Sequence, residues 1–222
     1  MCLTQLLLDF FFPPKCIFCG AVMAHMGDGV CSSCAKILPF IEDGKILRKI
    51  GKHTCAVTFY YDGIVRDGIH AMKFHGKRSR AARFAPFLVR TAAEHLGGAF
   101  DAVTYVPVHP LRRFRRGYDQ TLLLAGAAAK LWDAELEKTL RKTRNIPPQS
   151  LVESPAKRRQ NVQNAYTVPN PERVRGRRFL LIDDVVTTGA TLTVCADELL
   201  AAGAASVVCA ALAGGHRENS GF

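Results

Sequence analysis

The segment Phe179-Leu-Leu-Ile-Asp-Asp-Val-Val-Thr-Thr-Gly-Ala-Thr191 constrains the fold of this chain more than any other. Residues 178–182 read as a buried strand, with Asp183 and Asp184 at its end. Residues 187–191 supply a turn, after which Leu192, Cys195, Ala196, Leu199 and Leu200 form a helical stripe stopped by Gly203. Residues 206–212 are the next apolar strand. Strand, turn, helix, glycine and strand in that order make a βαβ unit, so the sheet is at least partly parallel.

That placement has chemical content. Ligands of open α/β sheets sit outside the carboxyl ends of the strands, where Asp183 and Asp184 fall. Adjacent carboxylates offer acceptors for vicinal sugar hydroxyls. The turn Thr187, Thr188, Gly189, Ala190 and Thr191 opens a helix whose free backbone N–H groups suit a phosphate. Gly189 permits close backbone approach, and the threonines add hydroxyl donors. Together they describe a ribose 5-phosphate site. Paired acids could instead hold Mg²⁺ beside a P-loop, but the chain contains no G-x-x-x-x-G-K-[ST]. A lone Asp-Asp pair would ordinarily be surface or capping residues; its coupling to the Thr/Gly turn argues otherwise.

Upstream, residues 54–61 read as a strand, followed by Asp62, Gly63 and helical spacing through Ile64, Ile69 and Met72 to Phe74. A second helix is expected over 79–96, a strand over 101–108, and a Leu/Ala-rich helix over 121–132. Residues 145–154 contain two prolines and read as a loop, with a short basic helix expected over 156–165.

The N-terminus is apolar up to Pro13 and Pro14, interrupted by Asp9, and lacks the basic start and cleavage site of a signal peptide. It reads as a short amphipathic helix packed on the body of a cytoplasmic protein, with peripheral contact to the inner membrane as the alternative. In a reducing compartment, eight cysteines need a reason other than disulfides. Cys16-Ile-Phe-Cys19 and Cys31-Ser-Ser-Cys34 supply it for half of them. Two C-x-x-C knuckles on a short loop close a four-thiolate zinc site, structural because no coordination position stays open. Cys195 and Cys209 lie in apolar stretches and read as core.

The formal charge of +11 points to anionic partners, either a phosphorylated small molecule or nucleic acid. Arg112, Arg113, Arg115 and Arg116 nearly abut after the 101–108 strand. Phe114, Tyr118 and Tyr166 are the aromatic residues that could stack on bases beside basic clusters.

The 179–191 segment closely resembles the 5-phosphoribosyl-1-pyrophosphate (PRPP) signature of type I phosphoribosyltransferases. The wider pattern resembles the competence protein F (ComF) family. The likeness includes the C-x-x-C pairs, Tyr61-Asp-Gly63, His70-Ala-Met-Lys-Phe-His-Gly76, Val106-Pro-Val-His109, Arg116-Gly-Tyr-Asp-Gln120, Gln149 and Arg158-Arg-Gln-Asn-Val162. Where this chain has Arg116-Gly-Tyr-Asp-Gln120 the family usually has R-G-F-N-Q, so Asp119 replaces an amide.

The resemblance implies an α/β, type I phosphoribosyltransferase-like fold, its mostly parallel sheet flanked by helices, with a zinc ribbon and N-terminal helix over 1–50 and the phosphoribosyltransferase-like domain over 51–222. It also implies a PRPP site in which the loop after the 101–108 strand holds the pyrophosphate through Arg112 and Arg116. Lys73 would reach the same anion, and Mg²⁺ would accompany PRPP. By the same resemblance, the protein would act in DNA uptake and natural transformation, handling incoming single-stranded DNA, with DNA-uptake or recombination proteins as possible partners. The alternative is an active phosphoribosyltransferase with an acceptor that the sequence does not reveal.

Overall fold

The computed structural model describes residues 13–23, 29–74, 76–98, 100–145 and 164–215. The expected N-terminal helix lies outside them, as does nearly all of the loop and basic helix expected over 145–165.

A β-branched, aromatic-rich run folds as strand β2 (His53–Tyr60), hydrogen-bonded antiparallel to β1 (Leu47–Ile50) across a two-residue turn. Three strands run parallel to β2 or to its neighbours: β3 (Ala102–Tyr105), β7 (Arg178–Val186) and β8 (Ser206–Gly214). With the short edge strand β4 (Glu135–Leu136) they complete a six-stranded sheet in the order β1-β2-β8-β7-β3-β4. β5 (Arg141–Lys142) and β6 (Tyr166–Thr167) form a separate antiparallel ribbon.

The helices are α1 (Ser32–Ala35), α2 (Gly63–Phe74), α3 (Arg80–Leu96), α4 (Pro110–Arg116), α5 (Gln120–Leu131) and α6 (Ala190–Ala201). Side-chain alternation along β7 divides the core in two. Leu180 and Ile182 pack with Ile69, Phe84 and Leu124 of α2, α3 and α5; Phe179 and Leu181 pack with Leu192, Cys195 and Leu199 of α6. The sheet is therefore sandwiched between two helical layers, as the parallel pattern requires. Cys55, Cys195 and Cys209 are buried in the α6-side core.

Most expected elements are present; the strand expected over 101–108 stops at Tyr105, the two-residue strands β4, β5 and β6 are additions, and three further differences bear on the site. β7 continues through both acids to Val186, because β8 keeps pairing with it as far as Gly214. The arginine segment is a short helix, α4, rather than a loop. His109 caps it by accepting from the Leu111 N–H at 3.2 Å, Pro110 opens it, and Gly117 closes it at φ +79°. β1 was not foreseen, and its residues 47–50 lie on the ribbon side of the expected boundary at 50 while belonging to the main sheet.

Candidate functional site

β3 and β7 are neighbours, yet the chain leaves them in opposite directions: α5 leads from β3 to β4, and α6 from β7 to β8. The carboxyl ends of these two strands are thus a topological switch point, where such sheets open a crevice. A cavity of about 770 Å³ occupies it. β3 pairs with β7 only up to Ile182, which leaves the β3-facing edge of β7 open where the two acids begin.

Lys73, Arg112, Arg116, Asp183, Asp184, Thr187, Thr188, Gly189, Ala190 and Thr191 all line this one cavity. Residues distant in sequence converge because α2, α4 and the turn after β7 all open on the same end of the sheet. On α4, Arg112, Arg115 and Arg116 share the cavity face at i, i+3 and i+4, and Arg113 does not line it. His109 serves as the cap of α4, while His70 stacks against Phe74 at 4.5 Å on the cavity wall.

The adjacent acids do not share one environment, since successive strand residues face opposite sides. Asp184 is buried, 2.8 Å from Lys73 Nζ, and accepts a 2.8 Å hydrogen bond from Gln120 Nε2. Gln120 in turn accepts from Arg116, whose guanidinium lies 5.1 Å from the Phe74 ring centre. Asp183 is only half-buried, and its one hydrogen bond described is from the Asp184 backbone N–H at 2.8 Å. Burial, then repulsion from Asp184, pushes the Asp183 carboxyl up to about 8, against the pull of Lys73. Lys73, expected to meet a ligand anion, is engaged with Asp184.

Gly189 is required by its surroundings. It sits at φ +79°, and a Cβ there would lie 2.3 Å from Ile50 Cγ2, so the packing of β1 as well as the backbone excludes a side chain. The N-cap residue of α6, Gly189, offers no side chain; the first-turn amides have no intrahelical acceptors, and residues 190–192 of that turn line the cavity. Thr188 Oγ1 accepts weakly from Ala190 N at 3.4 Å, and Thr187 and Thr188 are exposed.

Asp119 is no ligand. It is buried, its Oδ1 accepts from Thr121 N and Leu122 N at 3.1 Å each, and its Oδ2 accepts from Val108 N at 3.1 Å. It caps α5 and ties that helix to the segment after β3. Of the aromatic residues considered for base stacking, Tyr118 is buried and donates to Met72 O, and Tyr166 is 1% exposed; Phe114 stands 87% exposed.

Lys142 and Tyr166, from the β5–β6 ribbon, also line the cavity. Lys142 Nζ donates to Tyr166 Oη at 2.8 Å and lies 4.9 Å from the ring centre. The sequence carries no local signal for them, because residues 24 apart meet only through strand pairing.

At the other end of the chain, the ligand atoms of Cys16, Cys19, Cys31 and Cys34 all lie within 4.8 Å of one another, with Cys19 Sγ and Cys31 Sγ 3.7 Å apart. Tetrahedral zinc with bonds of about 2.3 Å holds sulfurs about 3.8 Å apart, so the donor set fits a structural zinc ion. The Ala21 and Cys34 N–H groups reach Cys19 Sγ and Cys31 Sγ, both at 3.5 Å. Burial acts to raise the Cys16 thiol, but the N–H groups of Cys31, Cys19 and Phe18 bring it down to about 6. Ile17 enters the core, Phe18 meets Phe84 edge-on at 5.7 Å, and Arg83 donates to Lys15 O and Gly29 O. The ribbon is thereby seated on α3.

Fold and site together define a type I phosphoribosyltransferase-like α/β protein that carries a zinc ribbon. The phosphoribosyl transferase domain family matches residues 121–220, and the double zinc ribbon domain family matches residues 7–58. DNA utilization protein YhgH of Escherichia coli O157:H7 is 33% identical over 150 residues, covering 63% of this chain and 62% of that protein's length. Competence protein F of Haemophilus influenzae is 28% identical over 204 residues, covering 82% of this chain and 89% of that protein. Among solved structures the chain is similar to glutamine PRPP amidotransferase of B. subtilis, with 25% identity, a TM-score of 0.40, and 59% and 26% of the two chains covered. The chain belongs to the competence protein F (ComF) family.

Proposed function

We propose that this chain binds PRPP, or a close phosphoribosyl relative, in the cavity beside β7. One observation carries the reading: a half-buried carboxylate, Asp183, stands between a Thr/Gly turn opening a helix and an arginine-lined helix face. The turn and the first-turn amides of α6 would take the 5-phosphate, Asp183 would accept from a ribose hydroxyl, and Arg112 and Arg116 would take the diphosphate. Mg²⁺ would arrive on the diphosphate, as part of the ligand, and reduce its charge. Isothermal calorimetry with PRPP, with and without Mg²⁺, tests this; saturable binding that Mg²⁺ tightens is expected, and absence of binding in both conditions refutes it.

We further propose a role in DNA uptake, with this chain handling incoming single-stranded DNA in the cytoplasm; the relatives' names, DNA utilization protein and competence protein F, support the DNA-related part of that reading. The charge of +11 and the exposed Phe114 among the arginines of α4 fit a phosphate backbone with an occasional stacked base. Among the described residues, no helix is long and apolar enough to cross a membrane. Single-stranded DNA binding at low salt that weakens steeply with added salt is the expected result. Failure to bind at low salt removes the DNA role.

A further inference from the structure

Two sets of charged groups flank β7. On the α2/α5 side Lys73 neutralises Asp184, with Gln120 and Arg116 behind it. On the α6 side stand Asp183, Arg112, Lys142 and Tyr166. There the cation Lys142 has no carboxylate within ion-pair distance among the described residues; its partner is a phenol. A half-buried ammonium held on a Tyr ring has an arginine repelling it, a cavity in front and only the unpaired pull of Asp183 to offset its charge, so a ligand anion could supply the missing counter-charge.

We propose that Lys142, oriented by Tyr166, is a specificity-determining residue that recognises an anionic group at the 1-position of the bound sugar phosphate, and so separates PRPP from ribose 5-phosphate. The proposal rests on the phosphoribosyl reading above. Three features support this assignment. Lys142 lines the same cavity as Arg112 and as Asp183, the acceptor assigned to the sugar. Tyr166 is buried and fixed by packing, so its hydroxyl holds the ammonium in one place at little entropic cost. The charge balance of the free protein is also unfavourable: burial first, then Arg112, brings the Lys142 ammonium down to about 8. A diphosphate would restore the full charge.

Calorimetry with PRPP, inorganic pyrophosphate and ribose 5-phosphate tests the proposal on wild type, Lys142→Gln and Lys142→Arg. Lys142→Gln should weaken PRPP and pyrophosphate at least about tenfold and leave ribose 5-phosphate unchanged. The groups facing Lys142 are Tyr166 from β6, Arg112 from α4, Asp183 from β7 and Cys195 from α6. Only Lys142 differs in Lys142→Arg, so the ratio of wild-type to variant PRPP affinity isolates its charge. That ratio should fall as pH rises from about 7 to about 10, because lysine loses its proton there and arginine does not. Should the Gln variant fail to fold, the Arg ratio decides the matter. Unchanged PRPP affinity in folded Lys142→Gln, equal loss of PRPP and ribose 5-phosphate, or a pH-independent ratio overturns the proposal. A wild type that binds ribose 5-phosphate and PRPP equally also overturns it, whereas a wild type that binds neither removes the phosphoribosyl reading and this proposal with it.

Discussion

Asp183 and Asp184 are neighbours in sequence with opposite duties in the structure. Asp184 holds Lys73 and Gln120 in a buried network, so Asp184→Asn leaves an ammonium without its counter-charge. A loss of about 3 kcal/mol in stability is expected, read as a lowered midpoint in chemical denaturation. Unchanged stability would show that the pair is not structural. Asp119→Asn can keep the cap of α5 through its amide oxygen, but its NH2 then faces the Val108 N–H, so a loss of about 1–3 kcal/mol in stability is expected, read by the same denaturation. At this scale the sequence was informative about which residues gather and uninformative about how they pair. Nothing in Asp-Asp says that strand alternation sends one acid to Lys73 and the other towards Lys142. In the sequence Gly189 suggests close backbone approach by a ligand, yet in the structure Ile50 fills the place of its missing Cβ.

Elements with strong periodicity were legible, and those made by pairing alone were not. β2, α2, α3, α5, β7, α6 and β8 each carry an apolar pattern long enough to declare itself. β4, β5 and β6 have two residues apiece and exist only because a partner lies alongside. β1 hides its character because Arg48, on its buried face, donates to Gly215 O at 2.8 Å. α4 was legible in principle, through Pro110 at its start and Gly117 at its end. The ribbon's own prediction belongs here. Chelating zinc should unfold the segment around Cys16 and Cys34 while the six-stranded sheet persists, with lower melting temperature because Ile17 and Phe18 leave the core. Hydrogen exchange that rises only in residues 13–41 is the expected readout; collapse of protection across β7 and β8 would show that the two parts are one cooperative unit.

For the whole molecule, the central claim is that the switch-point cavity is a phosphoribosyl site with Asp183 as its open acceptor. The cavity keeps Asp183 where an ionised carboxylate is disfavoured, its carboxyl held near 8 by burial and by Asp184. The folded state therefore binds this proton more tightly than the unfolded chain does. Stability contributed by that proton is lost as pH rises towards about 8, and the ionised acid is a liability above it. Asp183→Asn should accordingly raise the melting temperature, most clearly above pH 8, at the expense of function. PRPP calorimetry on this variant beside wild type, with a thermal melt of each, is the decisive measurement. The account predicts at least about a tenfold loss of PRPP affinity in a variant as stable as wild type or more so. Full PRPP affinity in folded Asp183→Asn would contradict it.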